Sequence, residues 1–151
     1  MPNITPAVSE SRIAFASREE LGEAMATLLA KGSSAYPAIQ PKTKKNIVLL
    51  TGPKAESLVD LVDAINRGRK TDIPLEYLEP QDWIDACAKD DVGGKGRGWF
   101  EARLMFTQSV SEGDAELVDP ALETLLGRRP ETGTEAVRRF VEQDPEYTWH
   151  Q

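Results

Sequence analysis

Residues Asn46 to Lys54 read NIVLLTGPK. The first five, NIVLL, form a compact apolar run enriched in branched side chains. Bounded by a turn, such a run reads as a buried strand, of the parallel kind that is covered on both faces. Thr51-Gly52-Pro53 then turns the chain. Leu58, Leu61, Val62 and Ile65 follow at helical spacing, with Gly68 as the expected stop. A parallel strand needs neighbours, and two segments alternate as strands do: Arg12 to Ala16 (RIAFA) and Pro74 to Leu78 (PLEYL).

The intervening segments predict helices. Ser17-Arg18-Glu19-Glu20 matches the capping box, and Leu21, Met25, Leu28 and Leu29 carry an apolar stripe that ends at Gly32. Pro80 can open a helix at its first turn, where Trp83, Ile84 and Cys87 give a partial apolar face. Trp99 to Val110 predicts a further helix, with Trp99, Arg103, Phe106 and Val110 on one side. Asp119-Pro120 caps a short helix that ends at Gly127. Thr134 is expected to open the last helix, with Val137, Phe140 and Val141 facing inward. The order is strand, helix, strand, helix, strand, then four helices. Strand–helix–strand units favour parallel pairing by right-handed crossover. The expected fold is therefore α/β, with a small sheet of about three mainly parallel strands, flanking helices and a C-terminal helical cluster.

The chain has 151 residues, enough for one domain (1–151) with a reasonable core. Its formal net charge is -7, a field that repels nucleic acid and anionic membrane surfaces. No apolar run approaches the roughly 20 residues needed to span a bilayer. Residues 1–11 lack the basic and apolar parts of a signal peptide and read as a flexible N-terminus. The single cysteine, Cys87, cannot form an internal disulfide, so a cytoplasmic setting is expected. It lies on an apolar helix face and reads as a buried, inert thiol. The lone histidine, His150, reads as frayed, and no His, Cys or carboxylate spacing points to a metal.

Val92 to Trp99 (VGGKGRGW) packs four glycines and two cations into eight residues. A dinucleotide cradle needs G-x-G-x-x-G directly after a strand. Here Gly94, Gly96 and Gly98 are spaced G-x-G-x-G after the acidic helix end Lys89-Asp90-Asp91. Register and context both fail. Anion capture by Lys95, Arg97 and the amides of the following helix stays open. The main reading is a joint between helices, residues 92–98, which a lid would also use. Thr51-Gly52-Pro53-Lys54 lacks Walker spacing and reads as a tight strand–helix turn.

Three longer stretches resemble a known family. RIAFASREELGEAMATLL resembles the point where NmrA-like atypical short-chain dehydrogenases leave their cofactor domain. NIVLLTGPKAESLVDLVDAINRGRKTDIPLEYLEPQDW resembles their following strand, T-G-P turn, helix and strand. GDAELVDPALETLLGRRPETGTEAVRRFV resembles their C-terminal element, in which L-x-G-R-x-P-x-T precedes the last helix. The likeness runs from about Arg12 to Val141, and the fungal branch that includes ergot-alkaloid dehydrogenases looks nearest. It implies a truncated Rossmann-like fold, without the strand, glycine turn and helix that hold the family's nucleotide. No cofactor is therefore expected.

By position in the family, Trp83 and the helix from Trp99 to Phe106 would line a substrate pocket, with the glycine joint as its hinge. The expected binding residues are Trp83, Lys95, Trp99, Phe100 and Phe106. Glu101 is the candidate for moving a proton, and Arg103 or Lys95 for stabilising an oxyanion. The activity this points to is a cofactor-independent isomerase or cyclase of specialised metabolism. It would act by orienting a polycyclic or alkaloid-like intermediate away from water. A non-catalytic partner or metabolite-binding subunit of a full-length relative is the alternative, and an NAD(P)H-dependent reductase is third. An uncovered sheet edge near Ile47 to Leu50 predicts a homodimer or a hetero-complex.

Overall fold

The computed structural model describes residues 10–39, 47–90 and 93–144. The N-terminal residues 1–9, His150 and Asn46 lie outside them. The described chain is mainly helical. Its helices are α1 (Arg18–Lys31), α2 (Leu58–Arg69), α3 (Pro80–Asp90), α4 (Arg97–Ser111), α5 (Ala121–Leu126) and α6 (Gly133–Gln143). Two single 3-10 turns, Ser33–Ala35 and Pro37–Ile39, follow α1.

The expected sheet is corrected. In place of about three mainly parallel strands there is one antiparallel pair, β1 (Arg12–Ile13) with β2 (Glu56–Ser57), in which Arg12 faces Ser57 and Ile13 faces Glu56. Neither Ile47–Leu50 nor most of Pro74–Leu78 is in a ladder; Glu76 alone makes an isolated bridge. The physical reason is partnership. An apolar strand of the parallel kind holds its conformation through neighbours on both edges. Among the described residues, no other strand runs beside Ile47–Leu50.

Past β1, the chain is closely held. The Ala14 amide donates to the Ala115 carbonyl (2.9 Å), and the Gly52 amide donates to the Ala14 carbonyl (3.1 Å). Gly52 is there because nothing larger fits: a Cβ would stand 1.8 Å from the Phe15 carbonyl oxygen. The T-G-P turn is thus a backbone crossing point, where the absence of a side chain is the requirement.

Local signals placed the helices well. The Glu20 amide donates to Ser17 Oγ (3.2 Å) at the start of α1. α2 opens on a full capping box, in which the Asp60 amide donates to Ser57 Oγ (3.1 Å) and the Ser57 amide to the Asp60 carboxylate (2.9 Å). Its expected stop was misplaced. Gly68 lies inside α2, where a Cβ would come within 3.1 Å of Val141 on α6, so it serves the α2–α6 packing. The helix ends at Lys70 in the left-handed conformation (φ 56°). Asn66 holds that end, since its side chain accepts from the Ile73 amide (2.8 Å) and donates to the Ile73 carbonyl (3.1 Å).

The last helix also starts earlier than expected. Thr132, not Thr134, is its cap, and Glu135 completes the capping box. Val141 is buried, but Phe140 is 46% exposed and does not face inward as expected.

The core sits where α1 meets α5. Ala24, Leu122 and Leu125 are buried, with Leu21, Leu28, Leu50 and Leu126 packed against them. The stretch Leu125 to Thr132 (LLGRRPET) shows why its spacing matters. Leu125 fills the core and Gly127 caps α5 at φ 67°. Arg128 grips α1 through Glu20 (2.5 Å) and Glu23 (2.6 Å). Pro130 is fully buried, and Thr132 caps α6. Both Glu20 carboxylate oxygens also accept from the Glu131 amide (3.2 Å each).

Candidate functional site

The aromatic residues expected to bind a substrate come together on α3 and α4. These two helices pack chiefly on each other, and α4 returns to the rest of the protein near β1. Phe100 is the buried centre. Trp83, on α3, meets it edge to face with ring centres 6.1 Å apart. Trp99 meets it from the other side at 5.0 Å, again edge to face. Such geometry sets the positive ring edge against a negative face. Trp99 remains 47% exposed beside the buried Phe100.

Two cations attend this helix. Lys95 lies over the Trp99 ring at 5.0 Å, and Arg103 over Phe106 at 5.6 Å. Phe106 is 58% exposed. The stripe of Trp99, Arg103 and Phe106 therefore faces outward, and only Val110, at its far end, is buried. The sequence placed these residues on one side correctly, but that side is not a core face.

Glu101 and Arg103 are both exposed. Glu101 accepts from Arg97 Nε (3.2 Å) one helical turn away. Arg97 also bonds Asp85 on α3 through a short contact. Its guanidinium pKa is raised, first by the hydrogen bond to Asp85. Arg97 is thus a clamp between α3 and α4. Sequence reasoning missed this role, because only the hairpin brings position 85 to position 97.

The glycine joint is sterically open. Gly96 is the N-cap of α4, and Gly94 takes a positive φ of 67°. A Cβ on Gly94, Gly96 or Gly98 would meet nothing within 4 Å. No backbone is pressed close here, and the nearest arginine is already committed. These residues do not fit a dinucleotide cradle. Cys87 is half-buried rather than buried. No group of His, Cys, Asp and Glu among the described residues could hold a metal ion. No helix among them is long and apolar enough to cross a membrane.

A second polar cluster lies elsewhere. A depression of about 350 Å³ is lined by Arg129, Pro130, Glu131, Glu135, Arg138, Arg139 and Glu142. Its arginines are matched by carboxylates: Arg129 with Glu135 (3.2 Å), Arg139 with Glu131 (3.0 Å) and Glu19 (3.1 Å). Beneath the same end of α6, the fully buried Glu56 carboxylate accepts from the Thr134 amide (3.0 Å) and hydroxyl (2.8 Å). That is a helix N-terminus satisfied from outside its own chain segment. None of the aromatic candidates lines this depression.

No family model and no solved structure matches the chain. Among curated proteins, it is 32% identical over 142 residues to the NmrA-like family domain-containing oxidoreductase flvB of Aspergillus flavus. The match covers 94% of this chain and 43% of that relative. Along nearly its whole length, then, the chain is similar to part of an NmrA-like oxidoreductase, and it spans under half of that relative's length.

Proposed function

We propose that this chain is the small-molecule-binding part of an NmrA-like protein, and that its α3–α4 hairpin takes a flat, hydrophobic ligand. The observation that carries the reading is the Trp83–Phe100–Trp99 cluster, which sets a half-exposed Trp99 against the buried Phe100 beside an open glycine joint. A ring system laid on Trp99 exchanges water for aromatic surface on both partners. Lys95 and Arg103 at the edge favour a ligand with an anionic or oxygen-rich substituent. Gly93 to Gly98 lets the helix start adjust when the ligand seats. A cytoplasmic setting and a homodimer or hetero-complex complete the proposal. The assembly matters because a ligand on an outward stripe gains most when a second surface covers it.

The relative's name gives oxidoreductase chemistry to that protein. For this chain we extend binding and not hydride transfer, since the described residues offer no fit for a dinucleotide. Isomerase or cyclase chemistry has no separate support, because Glu101 is held by Arg97 at the surface. Calorimetric titration with a fused-ring carboxylate, 1-hydroxy-2-naphthoate, tests the reading. The folded chain should bind it at one site per chain, and Trp99→Ala should weaken binding at least tenfold. Binding unchanged by Trp99→Ala would remove the hairpin from the site.

A further inference from the structure

One side of α1 buries Ala24 in the core, with Leu21 and Leu28 packed against it. The opposite side is apolar as well. Leu29 is 80% exposed and Met25 48%, and Gly22, Ala26 and Ala30 are exposed with them. Gly22, Met25, Ala26 and Leu29 stand at i, i+3, i+4 and i+7, so they form one continuous seam along the helix. A surface helix normally turns one apolar stripe to the core and a polar face to water. Here a second apolar stripe is left in solvent.

Gly22 adds an independent observation. Glycine weakens a helix interior relative to alanine. A Cβ there would meet nothing within 4 Å, so packing among the described residues does not call for its absence. Gly52 and Gly68 differ, since each has a neighbour pressed against it. A helix of another molecule, approaching closely, does call for it.

We propose that α1 is a homodimer surface: two copies pair their α1 seams antiparallel about a two-fold axis, with Leu29 of each seated over Gly22 of the other and Met25 over Ala26. This gives a surface to the assembly named in the reading above, and it rests on that part of the reading alone. It uses no residue of the hairpin.

The occupant is a second copy because the seam complements itself. In an antiparallel pair centred between Met25 and Ala26, position 22 meets position 29 and position 25 meets position 26. Each large side chain then faces a small one in both directions, as an isologous interface requires. A parallel pair would set Leu29 on Leu29 and Gly22 on Gly22, with crowding at one end and a gap at the other. Charge favours the same orientation. Arg18 is exposed at the first helical position, where the positive end of its own helix repels it. Antiparallel pairing carries it to Ser33 of the second copy, beside the last carbonyls of that helix, whose partial charge is negative. Glu19 and Glu23 are already tied to Arg139 and Arg128 within the chain. Two 14-residue helices bury a small interface, so the dimer is a reversible one.

Sedimentation equilibrium of the full chain tests this. A monomer–dimer equilibrium that Gly22→Leu weakens at least tenfold, with no fall in a melting temperature taken where the chain is monomeric, would support it. Gly22→Leu adds a side chain into open space and removes a helix-weakening residue, so a merely structural position would not respond this way. Leu29→Lys is the second variant and should weaken the dimer likewise. Orientation is read in a Cys87→Ser background: under mild oxidation, Gly22→Cys and Leu29→Cys chains should cross-link with each other and neither with itself. A monomer at every concentration would overturn the proposal, as would a dimer indifferent to both Gly22→Leu and Leu29→Lys. A Gly22→Cys chain that cross-links with itself would show a parallel pair and overturn the register. Binding of 1-hydroxy-2-naphthoate is read separately on the same proteins, so loss of either reading leaves the other standing.

Discussion

Trp99 and Phe100 are neighbours in sequence with opposite circumstances. Phe100 is 6% exposed and centres the hairpin, so Phe100→Ala should cost about 3–5 kcal/mol of stability in a denaturant titration. Trp99 is half in water, and its truncation should cost on the order of 1 kcal/mol, because much of its surface is never removed from solvent. Ligand binding should fall in the Trp99 variant while it stays folded. Gly52 makes a second residue-scale prediction. A methyl group there would overlap the Phe15 carbonyl, so Gly52→Ala should cost about 3 kcal/mol or more, read as a lowered melting temperature. Neither contrast was legible in the sequence. Helical spacing groups Trp99 with Phe106 and Val110, but it does not say which face meets solvent. The T-G-P turn announces a bend, yet it gives no hint that the Phe15 backbone passes against it. Glu20 was read as half of a capping box; its carboxylate is spent on Arg128 and the Glu131 amide instead. Glu20→Ala should leave those donors unsatisfied at a cost of about 1–3 kcal/mol, measurable by chemical unfolding.

Among elements, the helices were legible and the sheet was not: of the expected strands only Arg12–Ala16 holds a ladder segment, Arg12–Ile13, and its partner Glu56–Ser57 was not expected. A helix carries its instructions locally: a cap, a stripe and a stop within a dozen residues. Pro80 and Gly127 sit where the sequence put them, and the errors at Gly68 and Thr134 move boundaries only. A strand depends on partners brought from elsewhere in the chain, and among the described residues no ladder partner joins Ile47–Leu50. The caps also set a pH response. The Asp60 pKa is lowered, first by the Ser57 amide, and that of Glu135 first by the Thr132 amide and then by Arg129. A carboxylate depressed in the folded state stabilises the fold fully above its unfolded pKa, in the ordinary range of about 4 to 4.5. That contribution is lost as pH falls through the lower folded value. Stability should therefore drop on acidification below about pH 4.5. Asp60→Asn with Glu135→Gln should flatten that drop in melting temperatures taken from pH 6 to pH 3.

The whole molecule divides into a locked body and an appended hairpin. The body is held by the α1–α5 core, the α2–α6 contact and the arginine–carboxylate ties of Arg128 and Arg139. The hairpin is held by its own aromatic stack and by the Arg97 clamp. The likeness to part of an NmrA-like protein was legible because LLGRRPET and its neighbours each perform a local structural task. The proposed site was legible as a set of aromatics near a glycine joint, and the outward orientation of those aromatics was not, since that depends on how the hairpin sits on the body. The proposed function rests on ligands seating on the hairpin. Deuterium exchange across the full chain, with and without saturating 1-hydroxy-2-naphthoate, tests it most directly. Added protection is expected, confined to residues 93–106 and the facing turn of α3 around Trp83. Protection that appears instead along Arg129 to Glu142, or nowhere, would contradict it.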